Sequence, residues 1–197
     1  MPVRDDGALD PEVITGAVKA DDSHLAESRL LSLENTHNGL AVPLADMAAA
    51  AAAGRTAGLA VHLDGARFFN ATVALGCSEA ELAGLMDTVS ICLSKGLGTP
   101  AGSVLAGPAD LTAKARRWRK MLGGGMRQAG VLAAAALYAL EHNVARLGQD
   151  HDRAAELADV LRGLGRGRFP RPPTWCFSLR GTGAMMRCGC IWHLRAL

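Results

Sequence analysis

Short apolar runs alternate along the chain with alanine-rich or charged stretches of helical spacing, the signal for a sheet joined by crossover helices. Residues 29–33 read as a short strand running into the polar stretch Glu34-Asn35-Thr36-His37-Asn38-Gly39. Pro43, suited to a first helical turn, opens a helix expected to run through the alanines to about Ala53. Residues 59–63 form a buried strand that delivers Asp64 at its carboxyl end. Ser78 caps a short helix, and Glu81 three residues on completes a capping box. Residues 87–93 are the next strand, Ser94-Lys95-Gly96-Leu97-Gly98 the loop at its end, and residues 102–106 a third strand, followed by a basic helix over 109–121. Beyond Gly123-Gly124-Gly125, the spacing predicts the longest helix over 131–147 and a further one over 150–164 that leads toward a second lobe.

Open α/β sheets bind ligands beyond the carboxyl ends of their strands, so Glu34, Asp64 and Lys95 converge on one rim. Asp64 and Lys95, 31 residues apart, form the sharpest pair. A lysine between small residues at the floor of a crevice can form an imine with an aldehyde cofactor, and a neighbouring aspartate can keep a pyridine nitrogen protonated. On their own these residues stay ambiguous: a lysine in a glycine loop is most often solvated, and Asp-Gly is first a turn signal.

Composition narrows the class. At 197 residues with 49% apolar and 20% charged positions, the chain is long enough for one domain with an ordinary globular core. Its 21 basic and 19 acidic residues give no electrostatic argument for nucleic acid. No apolar run approaches the roughly 18 residues of a membrane span, and Met1 leads into Pro2, Arg4, Asp5 and Asp6 rather than a signal peptide, so a cytoplasmic protein is expected. Five cysteines without paired spacing suggest neither a disulfide framework nor a metal site.

Four blocks in order change the picture. They are Leu31-Ser32-Leu33-Glu34-Asn35-Thr36-His37-Asn38-Gly39, His62-Leu63-Asp64-Gly65-Ala66-Arg67-Phe68-Phe69-Asn70-Ala71, Ile91-Cys92-Leu93-Ser94-Lys95-Gly96-Leu97-Gly98-Thr99-Pro100, and the stretch from Arg117 to Gln128. Together they resemble the pyridoxal-phosphate-dependent L-threonine aldolases within the aromatic β-eliminating lyase superfamily, over about residues 21–165. The resemblance implies an α/β fold, a partial three-layer α/β/α large domain of the aspartate aminotransferase-like type (fold type I) with the start of the small domain. It implies pyridoxal 5'-phosphate as cofactor, Lys95 as the imine lysine and Asp64 as the partner of the pyridine nitrogen. It implies Arg67 as a ligand of the substrate carboxylate, Lys120 near the substrate, and His24 near the β-hydroxyl. The base could be His24, a water, or a histidine outside this chain. The substrate implied is a small β-hydroxy-α-amino acid, cleaved to glycine and an aldehyde. The assembly implied is a homo-oligomer, a dimer of dimers, with no nucleic acid, membrane or metal partner.

Two departures from the family pattern bear on activity. Nothing in residues 1–20 matches the family's phosphate-binding glycine-threonine loop or its ring-stacking histidine, so the chain is expected to begin late. After Asp159 no acidic residue occurs, while residues 166–197 hold six arginines and three of the five cysteines. Read one nucleotide earlier, Trp175-Cys176 becomes the family's Met-Val and Met185-Met186 becomes acidic, which suggests a frameshift near residues 165–171. The expected organisation is an incomplete large domain over 1–147, a helix toward the small domain over 148–165, and an out-of-frame tail over 166–197. The competing functional class is a nonfunctional fragment or pseudogene product.

Overall fold

The computed structural model describes residues 1–164, 178–181 and 184–187. Its elements run α1 (Pro11–Ala17), β1 (Leu30–Glu34), α2 (Leu44–Thr56), β2 (Ala60–Gly65), α3 (Phe68–Leu75), α4 (Glu79–Ala83), β3 (Thr88–Cys92), β4 (Ser103–Ala106), α5 (Ala109–Met121), α6 (Gly130–His142), α7 (Leu147–Gly163), β5 (Ser178–Gly181) and β6 (Ala184–Arg187). The main sheet has the order β1-β2-β3-β4, with β1, β2 and β3 parallel and β4 antiparallel to β3. β5 and β6 pair antiparallel in a separate two-stranded sheet. The rest of the tail assigned to a frameshift lies outside the described residues.

Strand side chains alternate between faces, and the register aligns like with like across the three parallel strands. Leu33 pairs with Leu63 and Leu63 with Val89, so these side chains share one face with Leu31 and Val61. That face buries against Ile14 of α1, Met47, Ala50 and Ala51 of α2, and Phe68 and Ala71 of α3. The opposite face carries Ser32, Glu34, His62, Asp64, Thr88 and Ser90, all exposed or half-buried.

Several sequence expectations shift. Pro43 is extended (φ -55°, ψ 144°) and sits just outside α2, which starts at Leu44. The capping box of α4 forms as expected: the Glu81 amide donates to Ser78 Oγ at 3.2 Å and the Ser78 amide to Glu81 Oε2 at 2.8 Å. The helix expected over 131–147 is two structures, because α6 stops at His142, Asn143 caps it, and a turn over 143–146 leads into α7. α7, at 17 residues, is the longest helix among the described residues. α1 and α3 were not expected; α3 ends where Gly76 adopts a left-handed conformation (φ 63°).

The amino end of the β2–β3 pair is closed by Asp87. Its Oδ2 accepts from the Val61 amide at 2.6 Å, its Oδ1 from Arg55 at 3.1 Å, and its own amide donates to the Val61 carbonyl at 2.9 Å. The Val61 amide, with Arg55 behind it, holds this carboxyl below its ordinary value against an opposing push from burial. A depressed carboxyl pKa stabilises the fold above the unfolded value of about 4 and is lost as pH falls through the folded value. Asp87→Asn is therefore expected to lower Tm by about 2–4 °C at pH 7. The gap from wild type should close as the pH falls below the ordinary carboxylate range and through the folded value; an equal gap at neutral and acid pH would contradict the assignment.

β4 is one edge of the sheet among the described residues, with Val104 and Leu105 44% and 39% exposed, and Trp118, Leu122 and Val131 are exposed on α5, beyond it, and on α6. Unpaired apolar edges template association. Residues 1–197 expressed alone are expected to self-associate, and Val104→Lys to reduce this in sedimentation velocity. A monomer at all concentrations would refute it.

Candidate active site

The carboxyl ends of β1, β2 and β3 deliver a row of polar groups to one rim. Glu34 and Asp64 are register partners, as are Asp64 and Ser90, so their side chains leave the same face. Asp64 is exposed, and its Oδ1 accepts from the Ala66 amide at 3.0 Å. The Asp64 carbonyl accepts from the Asn35 amide at 3.2 Å, extending the ladder one residue past β1. Next to it the Gly65 backbone lies tight on β3: a Cβ there would stand 2.8 Å from the Ser90 carbonyl oxygen and 3.1 Å from Phe68 Cβ.

Lys95 lies three residues past the end of β3, half-buried, in a turn closed by the Gly98 amide donating to the Lys95 carbonyl at 2.9 Å. Among the described residues its amine makes no hydrogen bond or ion pair. It does act on Cys92: burial pushes that thiol up, but the Ser94 hydroxyl and backbone and the Lys95 charge outweigh burial and hold it below its ordinary value. Arg67, half-buried, caps α3 three residues after Asp64, so the turn that ends β2 places both on the same rim.

The remaining sequence candidates stand apart. His24 is exposed in a turn whose hydrogen bonds run back to Asp22, and its imidazole makes no hydrogen bond or ion pair among the described residues. Lys120 is exposed at the end of α5, where the glycine run folds back over its stem; a Cβ at Gly125 would overlap Lys120 Cδ.

Other groups on the rim carried no assignment in the sequence. Glu34 Oε2 sits 2.7 Å from His37 Nδ1, and Asn38 Nδ2 lies 3.0 Å from His37 Nε2. Among the described residues the buried Thr36 hydroxyl has no hydrogen-bond partner, an unspent polar group of a kind that native structures rarely leave without a role. A cleft of about 200 Å³ opens beside β1 between the amino-terminal segment and α2. It includes Glu34 and His37 but neither Asp64 nor Lys95, so it adjoins the rim without taking in that pair.

The description "Beta-eliminating lyase" belongs to the family whose model matches residues 1–174. The low specificity L-threonine aldolase of Escherichia coli K12 is 54% identical over 160 residues, which cover 81% of this chain and 48% of that protein. A crystal structure of a putative aromatic amino acid beta-eliminating lyase/threonine aldolase from Exiguobacterium sp. 255-15 superposes with a TM-score of 0.70 at 32% identity, covering 76% of this chain and 44% of the other. The Leishmania major threonine aldolase, 22% identical with a TM-score of 0.71 over 85% of this chain and 51% of that one, shows the same fold. The chain spans about half the length of the curated relatives it matches.

Gly65→Ala tests how tightly Asp64 is held. Its Cβ has no room between β2 and β3, so overpacking should cost about 1–3 kcal/mol in chemical denaturation. Unchanged stability would mean the strand ends yield freely and do not fix Asp64.

Proposed function

The chain belongs to the beta-eliminating lyase family, and from that premise we propose that the protein is a pyridoxal 5'-phosphate-dependent aldehyde-lyase that cleaves L-threonine and L-allo-threonine to glycine and acetaldehyde. The observation that carries this reading is the placement of Asp64 at, and Lys95 just beyond, the carboxyl ends of two adjacent parallel strands, in a chain 54% identical to a low specificity L-threonine aldolase. The donor set fits the cofactor: a carboxylate for a ring nitrogen, an amine without an ion pair among the described residues for an aldehyde, and the unpartnered Thr36 hydroxyl past the neighbouring strand.

When bound, the cofactor supplies an aldehyde that takes up an amine and a protonated ring that accepts the electron pair of the breaking Cα–Cβ bond. Asp64 holds the proton on the ring nitrogen, and its negative charge makes that proton favourable. Lys95 would be the attachment amine, the group that the substrate's own amino group replaces. Arg67 grips the substrate carboxylate, which its planar fork suits better than a lysine would. Lys120 adds a contact near the substrate, and His24, a water or a histidine outside this chain receives the β-hydroxyl proton as the aldehyde leaves. Return of a proton to Cα gives glycine.

We assign residues 1–147 to the large domain, 148–165 to the connection toward the small domain, and 166–197 to a tail read out of frame. The family resemblance supports a cytoplasmic homo-oligomer, a dimer of dimers. Among the described residues no helix is long and apolar enough to cross a membrane.

Lys95→Ala in the intact protein is expected to abolish both the visible absorbance of the bound cofactor and glycine release from threonine. A borohydride-reducible adduct persisting on another lysine would overturn the assignment. Asp64→Asn should still bind cofactor but lose roughly 10²–10⁴-fold in turnover, as when a catalytic electrostatic group is removed. Near-normal turnover would make Asp64 a turn residue only.

A further inference from the structure

Lys95 is not part of the strand ladder. It sits in the loop between β3 and β4, and what aims it must be whatever grips that loop. Two of its neighbours point inward: Leu93 and Leu97 are 5% and 3% exposed, in a small core with Ala139 of α6 and Leu147 of α7. The loop closes on itself where the Thr99 amide donates to the Leu93 carbonyl at 3.2 Å, and the Leu93 amide donates to the Gly102 carbonyl at 3.0 Å.

Two asparagines from different helices meet the loop at the two residues just after Lys95. Asn143, which caps α6, donates through Nδ2 to the Leu97 carbonyl at 2.8 Å. Asn70 of α3, 6% exposed, stands against the residue next to Lys95: a Cβ at Gly96 would be 2.9 Å from Asn70 Oδ1 and 2.9 Å from Leu147 Cδ2. The Asn70 amide is itself oriented from α7, with Nδ2 3.1 Å from His151 Nε2. With the amide nitrogen as donor, that ring nitrogen is the acceptor and the imidazole is neutral. Burial pushes the His151 imidazole below its ordinary value, against the opposing charges of Asp150 and Asp152, which favours the neutral form.

We propose that Asn70, oriented by His151, and Asn143 are positioning residues that hold the loop bearing Lys95 so that its amine faces the rim beside Asp64. None of the three touches the reacting atoms; they act through the loop backbone. A lysine side chain carries about 2 kcal/mol of rotamer entropy. Fixing the backbone at the two residues that follow it removes one source of misalignment, and an error of about 1 Å in a reacting group can cost a hundredfold in rate. This inference deepens the aldehyde-lyase reading and rests on it for the role of Lys95, whereas the grip on the loop is a property of the chain itself.

The test is competitive acetylation of the cofactor-free intact protein, with Lys95 read by peptide mass spectrometry across pH and Lys114 as internal reference. His151→Leu removes the acceptor of Asn70 and should raise Lys95 labelling about three- to tenfold, the effect of one lost net hydrogen bond on local opening. His151→Gln, whose side-chain oxygen can accept from Asn70, should restore the wild-type rate and pH profile. A general loss of packing would not be rescued by that substitution. If His151→Leu does not fold, Asn143→Ala reads the same loop from its other anchor and should also speed labelling. Unchanged Lys95 labelling in a folded His151→Leu or Asn143→Ala protein overturns the proposal, as does failure of His151→Gln to restore a raised rate. If labelling responds as expected while the wild-type holoenzyme forms no glycine from threonine, the grip stands and the proposed reaction falls.

Discussion

The strand-borne groups on the rim follow from the in-register pairing of three parallel strands whose alternate residues bury Leu33, Leu63 and Val89 on one face. Side chains in a strand alternate with a period of two, so a slip of one residue would send Asp64 into the core and Leu63 into water. Burying each such apolar side chain contributes about 1.5–3 kcal/mol, and Leu63 and Val61 are fully buried. The position of Asp64 is therefore specified by hydrophobic energy spent elsewhere on the same strand. Glu34 and Ser90 share the specification through the same register.

Charge plays a smaller part in holding this arrangement. Arg4 gathers Asp6, Asp10 and Asp46 within 3.2 Å, and its guanidinium is pushed further up by its hydrogen bonds to Asp6 and Asp46. These groups lie at the surface, where solvent screening leaves such pairs little net worth. Asp87 differs in kind because its oxygen completes a backbone amide at the open end of β2, a group that would otherwise need water. One carboxylate on a ladder end thus shapes the sheet more than three around a surface arginine.

The strands β1 to β4, the capping box of α4 and α5 were legible in the sequence because each is written in local pattern. Apolar runs of strand length have few other readings when a turn signal follows them. The boundary between α6 and α7 was not legible, because helical spacing runs on through Val144 and only the use of the Asn143 side chain on a distant carbonyl ends the helix there. α3 was hidden for a related reason: Phe68-Phe69-Asn70 directly follows a strand, and its helical state depends on Phe68 and Ala71 finding the shared core. The antiparallel sense of β4 is likewise a tertiary choice. Asn70, Asn143 and His151 carry no local signal at all, since they meet across 81 residues in one case and 46 in the other.

That division has a physical basis that bears on how the rim works. A group inside a ladder, such as Asp64, inherits its position from backbone hydrogen bonds and needs few further contacts. A group on a loop has no such inheritance, and the entropy of ordering it, about 1–2 kcal/mol per backbone residue, must be offset by contacts from outside. Around Lys95 those contacts come from Leu93 and Leu97 in the small core and from amides on helices packed below the sheet. None competes for the amine, because each engages the backbone or the flanking residues and leaves Nζ without an ion pair among the described residues. A reactive lysine held by its neighbours rather than by its own charge stays both placed and available, a combination that a salt bridge to the amine could not provide.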